Sequence, residues 1–443
     1  MSVKSEESRV DFSPLKKIPP RASYSSLMLH RKCPQAWFYR YEMRLEEDKD
    51  YTSAYLTFGR WWSAIRAIES LERGRVAKSL IFVPAHLKDT SEGFAFSPRT
   101  STVADVFLAA QKRWDLMGTE GRENFVEMLG EPLPDRLKNA FDLWDEANPN
   151  RFEDELPLGV EIFWKRYIPI PEHLKNPDMP EMQLIGYIDE LYWDTRRNMV
   201  VVRDHKTSKD IQRANSALDD LMDSQLALYA WGISPLLEKK NLPKPRALAF
   251  DRVRSVAPLD PKLTATGTLS KAVTNYPLDH YLLWASTDTT PTEEERLEII
   301  SSKNLEGEQA EEVLSLEPGQ FWGKLGEFFV SGPKKGLPKF GVHRISETEI
   351  KRLSQPDERA KWVGSTLVPI NRKTEDSHLL SAASTAVDIW LTKTRAEKAG
   401  EATRNLTRFG CKMCPFADFC RAQIYGGPRG EYDLQAYDLR EKK

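Results

Sequence analysis

Alternating apolar and polar positions predict a β-hairpin near the middle of the chain. Residues 185–193 and 199–202 form two apolar runs rich in β-branched and aromatic side chains, and the polar tetrapeptide 195–198 separates them. Such a pattern is typical of two antiparallel strands joined by a short loop. If residues 195–198 are the loop, counting outward from it places Asp189 directly opposite Asp204.

Two facing carboxylates are the candidate chemistry of this hairpin. Their Cβ atoms would lie roughly 4.5–5.5 Å apart, so the two charges repel unless a cation lies between them. Two carboxylates plus waters are what Mg²⁺ typically takes from a protein. Lys206 lies two residues beyond Asp204 and therefore shares its face of the strand. The alternative is a surface hairpin with a solvated acidic face, but Asp204 follows the apolar run 200–202, where an ionised group needs a partner or a metal.

Further elements surround this hairpin. Residues 158–168 alternate as a strand does and contain Glu161, which is either a solvated strand residue or a further carboxylate near the metal. Residues 216–233 have helical character, with Gln225 and Tyr229 on one face. Residues 246–253 predict another strand, and amphipathic pieces at 103–114 and 136–144 predict helices. The pattern therefore predicts an α/β (α+β) fold with a mixed sheet of at least four strands flanked by helices.

Composition limits the class of protein. The chain has 443 residues, 40% hydrophobic content and a formal net charge of −2. Because no apolar run reaches the 18 residues of a membrane span and the N-terminal segment is polar, we expect a globular, cytoplasmic protein. The balanced charge means that binding to nucleic acid depends on local basic surface. Basic clusters at residues 334–335, 339–340 and 343–344 are either such a surface or ordinary solvated lysines and arginines.

The cysteines form the second candidate site. Cys33 stands alone, while Cys411, Cys414 and Cys420 form a C-x2-C-x5-C pattern, and these four are all the cysteines of the chain. In a cytoplasmic protein, such a set favours metal ligation over disulfides. Four thiolates suit either a structural zinc ion or an iron–sulfur cluster, and spacing leaves both open. The remaining alternative is that the cysteines are small buried apolar residues.

The order of these motifs resembles a known family. Gly186-x-x-Asp189, a strand, Asp204-x-Lys206 and then Gln225-x-x-x-Tyr229 resemble the active site of the RecB-type branch of the PD-(D/E)xK nucleases. The segments 24–27 and 33–41 look like the opening of the iron–sulfur members of that branch. Those members include the AddB nuclease domain, the CRISPR-associated exonucleases and related phage exonucleases.

The resemblance implies a fold, an activity and a set of roles. It implies a restriction-endonuclease-like core and a Mg²⁺- or Mn²⁺-dependent deoxyribonuclease, an exonuclease of recombination, repair or phage DNA processing. Its substrate would be single-stranded DNA or DNA ends, and its partners would be recombination or CRISPR-type proteins. The implied metal ligands are Asp189, Asp204 and the main-chain carbonyl of His205, with Glu161 as a further candidate. Lys206 would orient the attacking water, and Gln225 and Tyr229 would position Lys206 and the DNA.

The resemblance also implies a cofactor that joins the two ends of the chain. In the iron–sulfur members, one cysteine before the nuclease core and three after it bind a [4Fe-4S] cluster, which matches Cys33, Cys411, Cys414 and Cys420. Closing so long a loop restrains the unfolded chain, and the energy of ligation becomes energy of folding.

One position departs from the family pattern. Where the family has Gly-x-x-x-His with the histidine as a metal ligand, this chain has Gly59 and Ser63 in a segment predicted to be a helix following the glycine. A serine hydroxyl is a far poorer ligand than imidazole. The departure leaves room for an inactive DNA-binding or scaffolding descendant. A zinc-stapled protein unrelated to nucleases is the other alternative.

The pattern also predicts a division of the chain. It comprises a flexible arm (1–22), N-terminal helices (23–70), a helical insertion (71–157), the nuclease core (158–254), a helical or irregular insertion (255–404), the cysteine segment (405–425) and a tail (426–443).

Overall fold

The structure, a computed structural model, describes most of the chain. The described residues are 20–47, 54–85, 87, 94–209, 211, 224–257, 297, 300–301, 305–315, 362–412, 414–425 and 437–439. The strands are β1 (Arg21–Ser23), β2 (Leu45–Glu47), β3 (Glu155–Tyr167), β4 (Gln183–Asp194), β5 (Met199–Ser208), β6 (Ala247–Arg254), β7 (Val363–Pro369) and β8 (Tyr437–Leu439). The α-helices are α1 (Tyr24–Lys32), α2 (Pro34–Trp37), α3 (Ala54–Ala77), α4 (Val103–Leu116), α5 (Thr119–Leu129), α6 (Leu133–Ala147), α7 (Arg151–Asp154), α8 (Ser224–Glu238), α9 (Glu308–Ser315), α10 (Arg372–Ala399), α11 (Arg408–Lys412) and α12 (Ala417–Tyr425).

A six-stranded mixed sheet forms the centre of the fold. The strand β4 pairs antiparallel with β3 on one side, and on its other side it pairs first with β1 and then with β5. Strand β5 pairs parallel with β6, which pairs antiparallel with β7. Because a parallel pair needs a crossover, the helix α8 lies in the connection between β5 and β6. The mixed sheet with flanking helices confirms the predicted fold class.

The predicted hairpin is confirmed in its loop and its register. Strand β4 ends at Asp194, strand β5 begins at Met199, and these two residues are Cα partners. The pairing continues outward to Glu190 and Arg203. It stops there, one step short of the predicted Asp189–Asp204 pair.

An irregularity shared by two strands explains where the pairing stops. In β3, Val160 packs with the helices on the α3 side, whereas Ile162 packs in the core on the α8 side. Glu161 between them has a positive φ of 47°, a conformation uncommon for residues other than glycine. In β4 the face changes at the matching place: Ile188 packs on the α8 side, and Glu190 meets arginines and Ser70 of α3. The sheet therefore bends where Glu161 and Asp189 lie, and normal side-chain alternation fails at both residues.

Helices cover both faces of the sheet. On one face α1, α8 and α10 pack in the larger apolar core, which includes the buried ring of Trp164. Gly186 and Gly232 pack directly against this ring, and a Cβ atom at either position would collide with it. On the other face lie α3 to α6, packed through Trp61, Trp62 and Trp144. The residues predicted as a helical insertion thus share a core with the sheet.

Three details differ from the sequence-based expectation. The segment 23–70, predicted to consist of helices, is interrupted, since α1 and α2 are followed by a π-helical turn (Phe38–Glu42) and by β2. Helix α3 begins at Ala54, so Gly59 lies inside it rather than before it. Strands β1 and β7 also belong to the central sheet, although both lie outside residues 158–254, the predicted nuclease core. They pair with β4 and β6, respectively.

Some predicted features fall outside the described residues. These are residues 1–19 of the N-terminal arm, residues 216–223 at the start of the predicted helix 216–233, and the basic clusters at 334–335, 339–340 and 343–344. Among the helices that the structure describes, none combines the length and apolar character that a membrane crossing requires.

Candidate active site

A cavity between α3 and the bent part of the sheet brings together distant polar residues. It has a volume of about 360 Å³. Glu161 from β3, Asp189 from β4, Lys206 from β5 and Ser63 from α3 all line it. The sequence predicted each of these residues as a site residue, and the structure places all four at one cavity. The bend at Glu161 and Asp189 is what turns both carboxyl groups toward it.

Close packing of α3 against β5 forms one wall of this cavity. A Cβ atom on Gly59 would lie only 3.0 Å from Thr207 Oγ1, so a larger residue would require the Thr207 side chain or the helix to shift by a few tenths of an ångström. Ser63, one turn further on, donates a hydrogen bond from its hydroxyl to the Gly59 carbonyl oxygen (3.0 Å). Arg60 and Tyr55 also line the wall. Gly59 therefore allows α3 to pack closely against β5, and Ser63, one turn later on the same helix, lines the cavity.

A second group of residues forms a hydrogen-bonded set beside the cavity. Lys206 Nζ lies 2.8 Å from Asp204 Oδ2 and donates to Gln225 Oε1, also at 2.8 Å. Gln225 Nε2 lies 3.2 Å from both Asp204 Oδ1 and the Tyr229 hydroxyl. Gln225 and Tyr229 lie four residues apart on α8, so the helix presents both to the strand. The structure thus brings together the four residues that the sequence grouped as Asp-x-Lys and Gln-x-x-x-Tyr.

The two aspartates do not face each other as the extrapolated register predicted. Asp189 Oδ2 accepts a hydrogen bond from the backbone N–H of His205 at 3.0 Å, whereas the Asp204 carboxylate meets Lys206 and Gln225. Asp189 lines the cavity and Asp204, only 4% exposed, does not. The extrapolated pairing is wrong because the bend in β4 separates the strands after Glu190. Asp189 instead contacts the backbone of His205, the residue that follows Asp204.

Beneath the cavity lies a buried network of charges that sequence reasoning missed. Arg203 lies 2.9 Å from Glu190 and 3.1 Å from Asp251, and it also contacts Glu155. From α3, Arg73 meets Glu190 at 3.2 Å. The other buried members of the network are Arg66, Glu69 and Arg151, and the half-exposed Asp145 contacts Arg151 at its edge. Among the described residues, four arginines and four carboxylates thus balance in charge inside the protein, as buried ions must.

The pKa values of Glu190 and His205 reflect the charges around them in the network. Burial alone would raise the pKa of Glu190, but Arg203, Arg73 and Arg66 outweigh it and hold that pKa well below its ordinary value. The imidazole of His205 projects into the same network, 3.6 Å from Glu190. Its pKa is lowered to about 3, first by burial and then by Arg66. This imidazole is therefore neutral at physiological pH.

The sequence did contain a signal for this network. Arg66, Glu69 and Arg73 are spaced three and four residues apart on α3, so they form a charged stripe on one helix face. Glu190 and Arg203 are partners in the predicted hairpin register. Opposite charges at paired positions of two apolar strands indicate a buried ion pair, since neither charge is tolerated there alone.

The four cysteines share a second cavity, of about 320 Å³, at the junction of the two chain ends. The structure places Cys33 between α1 and α2, and it places Cys411, Cys414 and Cys420 around α11 and α12. Burial raises the pKa of the Cys414 thiol, and Cys33, Cys420 and Cys411 raise it further. Arg404 also lines the cavity. Cysteines from distant parts of the sequence are therefore close neighbours in space.

The two cavities differ in the metal that their residues fit. Among the described residues, no group of three or more His, Cys, Asp or Glu side chains is arranged closely enough to hold a metal ion by itself. Asp189 and Glu161 are two carboxylates at one cavity, with Ser63 opposite them, and this all-oxygen set fits Mg²⁺ or Mn²⁺ completed by carbonyl groups and waters. The four thiols at the other cavity are soft ligands, which suit zinc or iron.

The fold and the first cavity define a restriction-endonuclease-like protein. The family model of the PD-(D/E)XK nuclease superfamily matches residues 21–421, and the chain belongs to that superfamily. Membership indicates a nuclease that hydrolyses phosphodiester bonds in DNA, with Mg²⁺ or Mn²⁺ as the typical metal, and it sets aside a zinc protein unrelated to nucleases. The comparison with curated proteins gives no match.

Proposed function

We propose that the protein is a Mg²⁺- or Mn²⁺-dependent deoxyribonuclease of the RecB type, an exonuclease that acts on single-stranded DNA or DNA ends during recombination, repair or phage DNA processing. The observation that carries the proposal is the convergence of Glu161, Asp189 and Lys206 on one cavity, beside the contacts among Asp204, Gln225 and Tyr229. Recombination or CRISPR-type proteins would be the partners, and the cytoplasm would be the site of action.

The divalent ion would be held by Asp189, by the main-chain carbonyl of His205 and by Glu161. Asp204, which the sequence offered as a direct ligand, contacts Lys206 and Gln225, so its role includes the placement of Lys206. When bound, such an ion polarises the scissile phosphate, lowers the pKa of an attacking water and stabilises developing charge.

Lys206 is the residue that acts on the water and the phosphate. Its ammonium group is fixed by Asp204 and by Gln225, and Tyr229 contacts Gln225 in turn. The Lys206 side chain is therefore held in one position before the substrate binds. The neutral imidazole of His205 lies in the buried network and anchors the backbone between Asp204 and Lys206. The strand thus presents the two charged groups in a fixed arrangement, which lowers the cost of reorganisation during reaction.

The activity is tested with end-labelled single- and double-stranded DNA in Mg²⁺ or Mn²⁺. We expect mononucleotides or short products to be released from the labelled ends of linear DNA only when the divalent ion is present, and circular DNA to resist. Degradation of circular DNA would show that the protein is an endonuclease rather than an exonuclease. Absence of cleavage with either metal would favour the inactive DNA-binding or scaffolding alternative, for which Ser63 in place of the family histidine is the specific observation.

Substitution of Ser63 by histidine is expected to strengthen the metal site. Because Ser63 lines the cavity opposite the carboxylates, an imidazole there adds a nitrogen ligand that Mn²⁺ accepts well. We expect Mn²⁺ to bind about tenfold more tightly, about 1.4 kcal/mol, and cleavage at limiting Mn²⁺ to rise. Calorimetric titration of Mn²⁺ measures the first effect without reference to activity.

The matched control is Ser63→Ala, which removes the hydroxyl that donates to the Gly59 carbonyl oxygen but supplies no ligand. Its Mn²⁺ affinity should equal that of the wild type. Equal affinities in wild type and Ser63→His would mean that Ser63 only packs against the helix and does not face the metal.

We also propose that Cys33, Cys411, Cys414 and Cys420 hold a [4Fe-4S] cluster. Support comes from their common cavity, which brings the one cysteine before the nuclease core together with the three after it. Cluster ligands bind separate iron atoms, so they need not lie as close together as the ligands of a single ion. Arg404, beside Cys420, would offset the negative charge of the ligated cluster.

Iron analysis tests this cofactor directly. Protein prepared without oxygen should be brown and should contain about four iron and four sulfide per chain. The Cys414→Ser variant should lose the cluster and become markedly less stable, because the link between the two ends of the chain is released. Stoichiometric zinc and no iron in the wild type would contradict the cluster and leave a structural zinc ion in its place.

A further inference from the structure

The sheet carries exposed aromatic side chains just beyond the active-site cavity. Phe163, Tyr167 and Tyr187 are 45%, 49% and 43% exposed, although all three lie within the long central strands β3 and β4. Their neighbours Ile162 and Trp164 are buried toward α8. Alternation therefore directs the three exposed rings to the opposite face, the one that contains the cavity. None of the described helices covers this part of the face.

Two of these rings form a pair across the strands. Phe163 and Tyr187 are partners in the β3–β4 register. Their ring centroids are 5.1 Å apart with an interplanar angle of 50°. The contact holds each ring in place, so a planar ligand meets a surface that is already ordered and loses little side-chain entropy on binding.

The aromatic pair continues directly from the active site. Phe163 lies two residues beyond Glu161, and Tyr187 lies two residues before Asp189, so each ring is roughly 6–7 Å along its strand from a carboxylate of the cavity. A polymer held at the cavity would therefore place its next unit over these rings. This continuity distinguishes them from isolated exposed apolar residues, which need no explanation.

The same face carries positive charge. Lys165 is exposed between Phe163 and Tyr167 on β3. Arg21 on β1 is also exposed, and it shares the face because Arg21 and Tyr167 are register partners of the same β4 residue, Gln183. We call Arg21, Phe163, Lys165, Tyr167 and Tyr187 the aromatic face. Two of these five described residues are cations, and the carboxylates of Glu161 and Asp189 on the same face lie at the cavity.

We propose that the aromatic face binds the single-stranded DNA segment next to the scissile phosphate, with a base stacked on the Phe163–Tyr187 pair and with Lys165 and Arg21 near the phosphates. The proposal rests on the proposed function, because the cavity must be the place of cleavage. Every base has a π-face that can stack on an aromatic ring without regard to sequence. A duplex keeps its bases stacked inside, so the aromatic face selects an unpaired strand.

The test measures binding separately from cleavage. Fluorescence anisotropy with a short labelled single strand, in EDTA to prevent hydrolysis, should show that Phe163→Ala combined with Tyr187→Ala weakens binding at least about tenfold. The affinity for a duplex of the same sequence should change less than about twofold. Tyr187→Phe keeps the ring and should bind like the wild type, whereas Phe163→Leu keeps the apolar character without the ring and should bind weakly.

Salt dependence separates stacking from charge. For a single strand, the slope of log K against log salt changes by about 0.7 for each phosphate group that the protein neutralises. Lys165→Ala should reduce the slope by about that amount, and the aromatic double variant should leave the slope unchanged. Leu108→Ala on α4, a change at a comparably exposed apolar residue away from the face, should alter neither quantity.

Cross-linking keeps the proposal testable if the double variant does not fold. Wild-type protein irradiated with a single strand that contains a photoreactive pyrimidine should give peptides cross-linked at Phe163 or Tyr187. Cross-links confined to other regions, an unchanged affinity of the double variant, or no measurable single-strand binding by the wild type would each overturn the proposal. Weaker single-strand binding by the double variant, together with a wild type that cleaves no DNA, would retain the aromatic face and contradict only the proposed nuclease activity.

Discussion

Replacement of Lys206 by alanine is expected to lower DNA cleavage at least about a thousandfold. Lys206 lines the candidate active-site cavity, and its ammonium group is fixed by Asp204 and Gln225, each 2.8 Å away. No other described lysine lines this cavity, so no second ammonium group takes its place. Asp204→Ala should have a similar effect, because it releases Lys206 from its position and removes a carboxylate from the site.

Both variants should still fold. Lys206→Ala leaves the buried Asp204 carboxylate with Gln225 but without the Lys206 cation, which costs about 1–3 kcal/mol. Circular dichroism and thermal melting should therefore show a native fold with a reduced midpoint, and the cleavage assay should be run well below that midpoint. Asp204→Asn preserves the shape of the side chain, and we expect it to be inactive with a smaller decrease in stability.

The control for charge is Lys175→Ala, an exposed lysine whose pair with Glu172 lies outside the cavity. It should cleave DNA as the wild type does. Cleavage by Lys206→Ala within tenfold of the wild-type rate would contradict the role of Lys206 and, with it, the proposed mechanism.

The second large effect concerns stability. Arg203→Met is expected to lower the free energy of unfolding by about 3–5 kcal/mol. Arg203 is buried and contacts Glu190, Asp251 and Glu155. Burial alone would lower its pKa, but Asp251 and the other carboxylates raise that pKa well above the ordinary value. Its removal leaves buried carboxylates with too few cations, and a methionine cannot compensate them.

Urea unfolding at neutral pH measures this effect, with Lys138→Ala as the matched control. Lys138 also pairs with a carboxylate, Asp142 at 2.7 Å, but both side chains are at least half exposed. We expect this control to change stability by less than about 0.5 kcal/mol. Arg203→Lys keeps the charge but not the several directed contacts, so it should fall between the two. A cost of less than about 1 kcal/mol for Arg203→Met would show that the network contributes little to the fold.

Local pattern was sufficient for the central hairpin and for the helix that faces it. The loop at residues 195–198 and the partnership of Asp194 with Met199 follow from the two apolar runs, and the structure confirms both. The period of two placed Asp204 and Lys206 on one face, and the period of the helix placed Gln225 and Tyr229 together. These placements succeed because each depends on backbone geometry within a few residues.

The same local rule failed one step further along the hairpin. An extrapolated register placed Asp189 against Asp204, but the positive φ of Glu161 and the matching change of face in β4 bend the sheet there. Nothing in the alternation of β3 marks Glu161 as irregular. The bend depends on how two strands fit against α3 on one side and against the Trp164 core on the other.

The amino-acid sequence by itself determined the α/β class, the strands β3 to β6, the helix that carries Gln225 and Tyr229, the superfamily motifs and the residue types at the candidate active site. Only the tertiary structure decided that Glu161 and Ser63 reach the same cavity as Asp189, that the described arginines and carboxylates balance beneath it, and that Cys33 meets the C-terminal cysteines. The reason is physical. Periodicity records which side of an element each residue faces, whereas contacts between distant elements depend on how their surfaces pack, and a few misplaced ångströms are enough to break a charge pair or close a cavity.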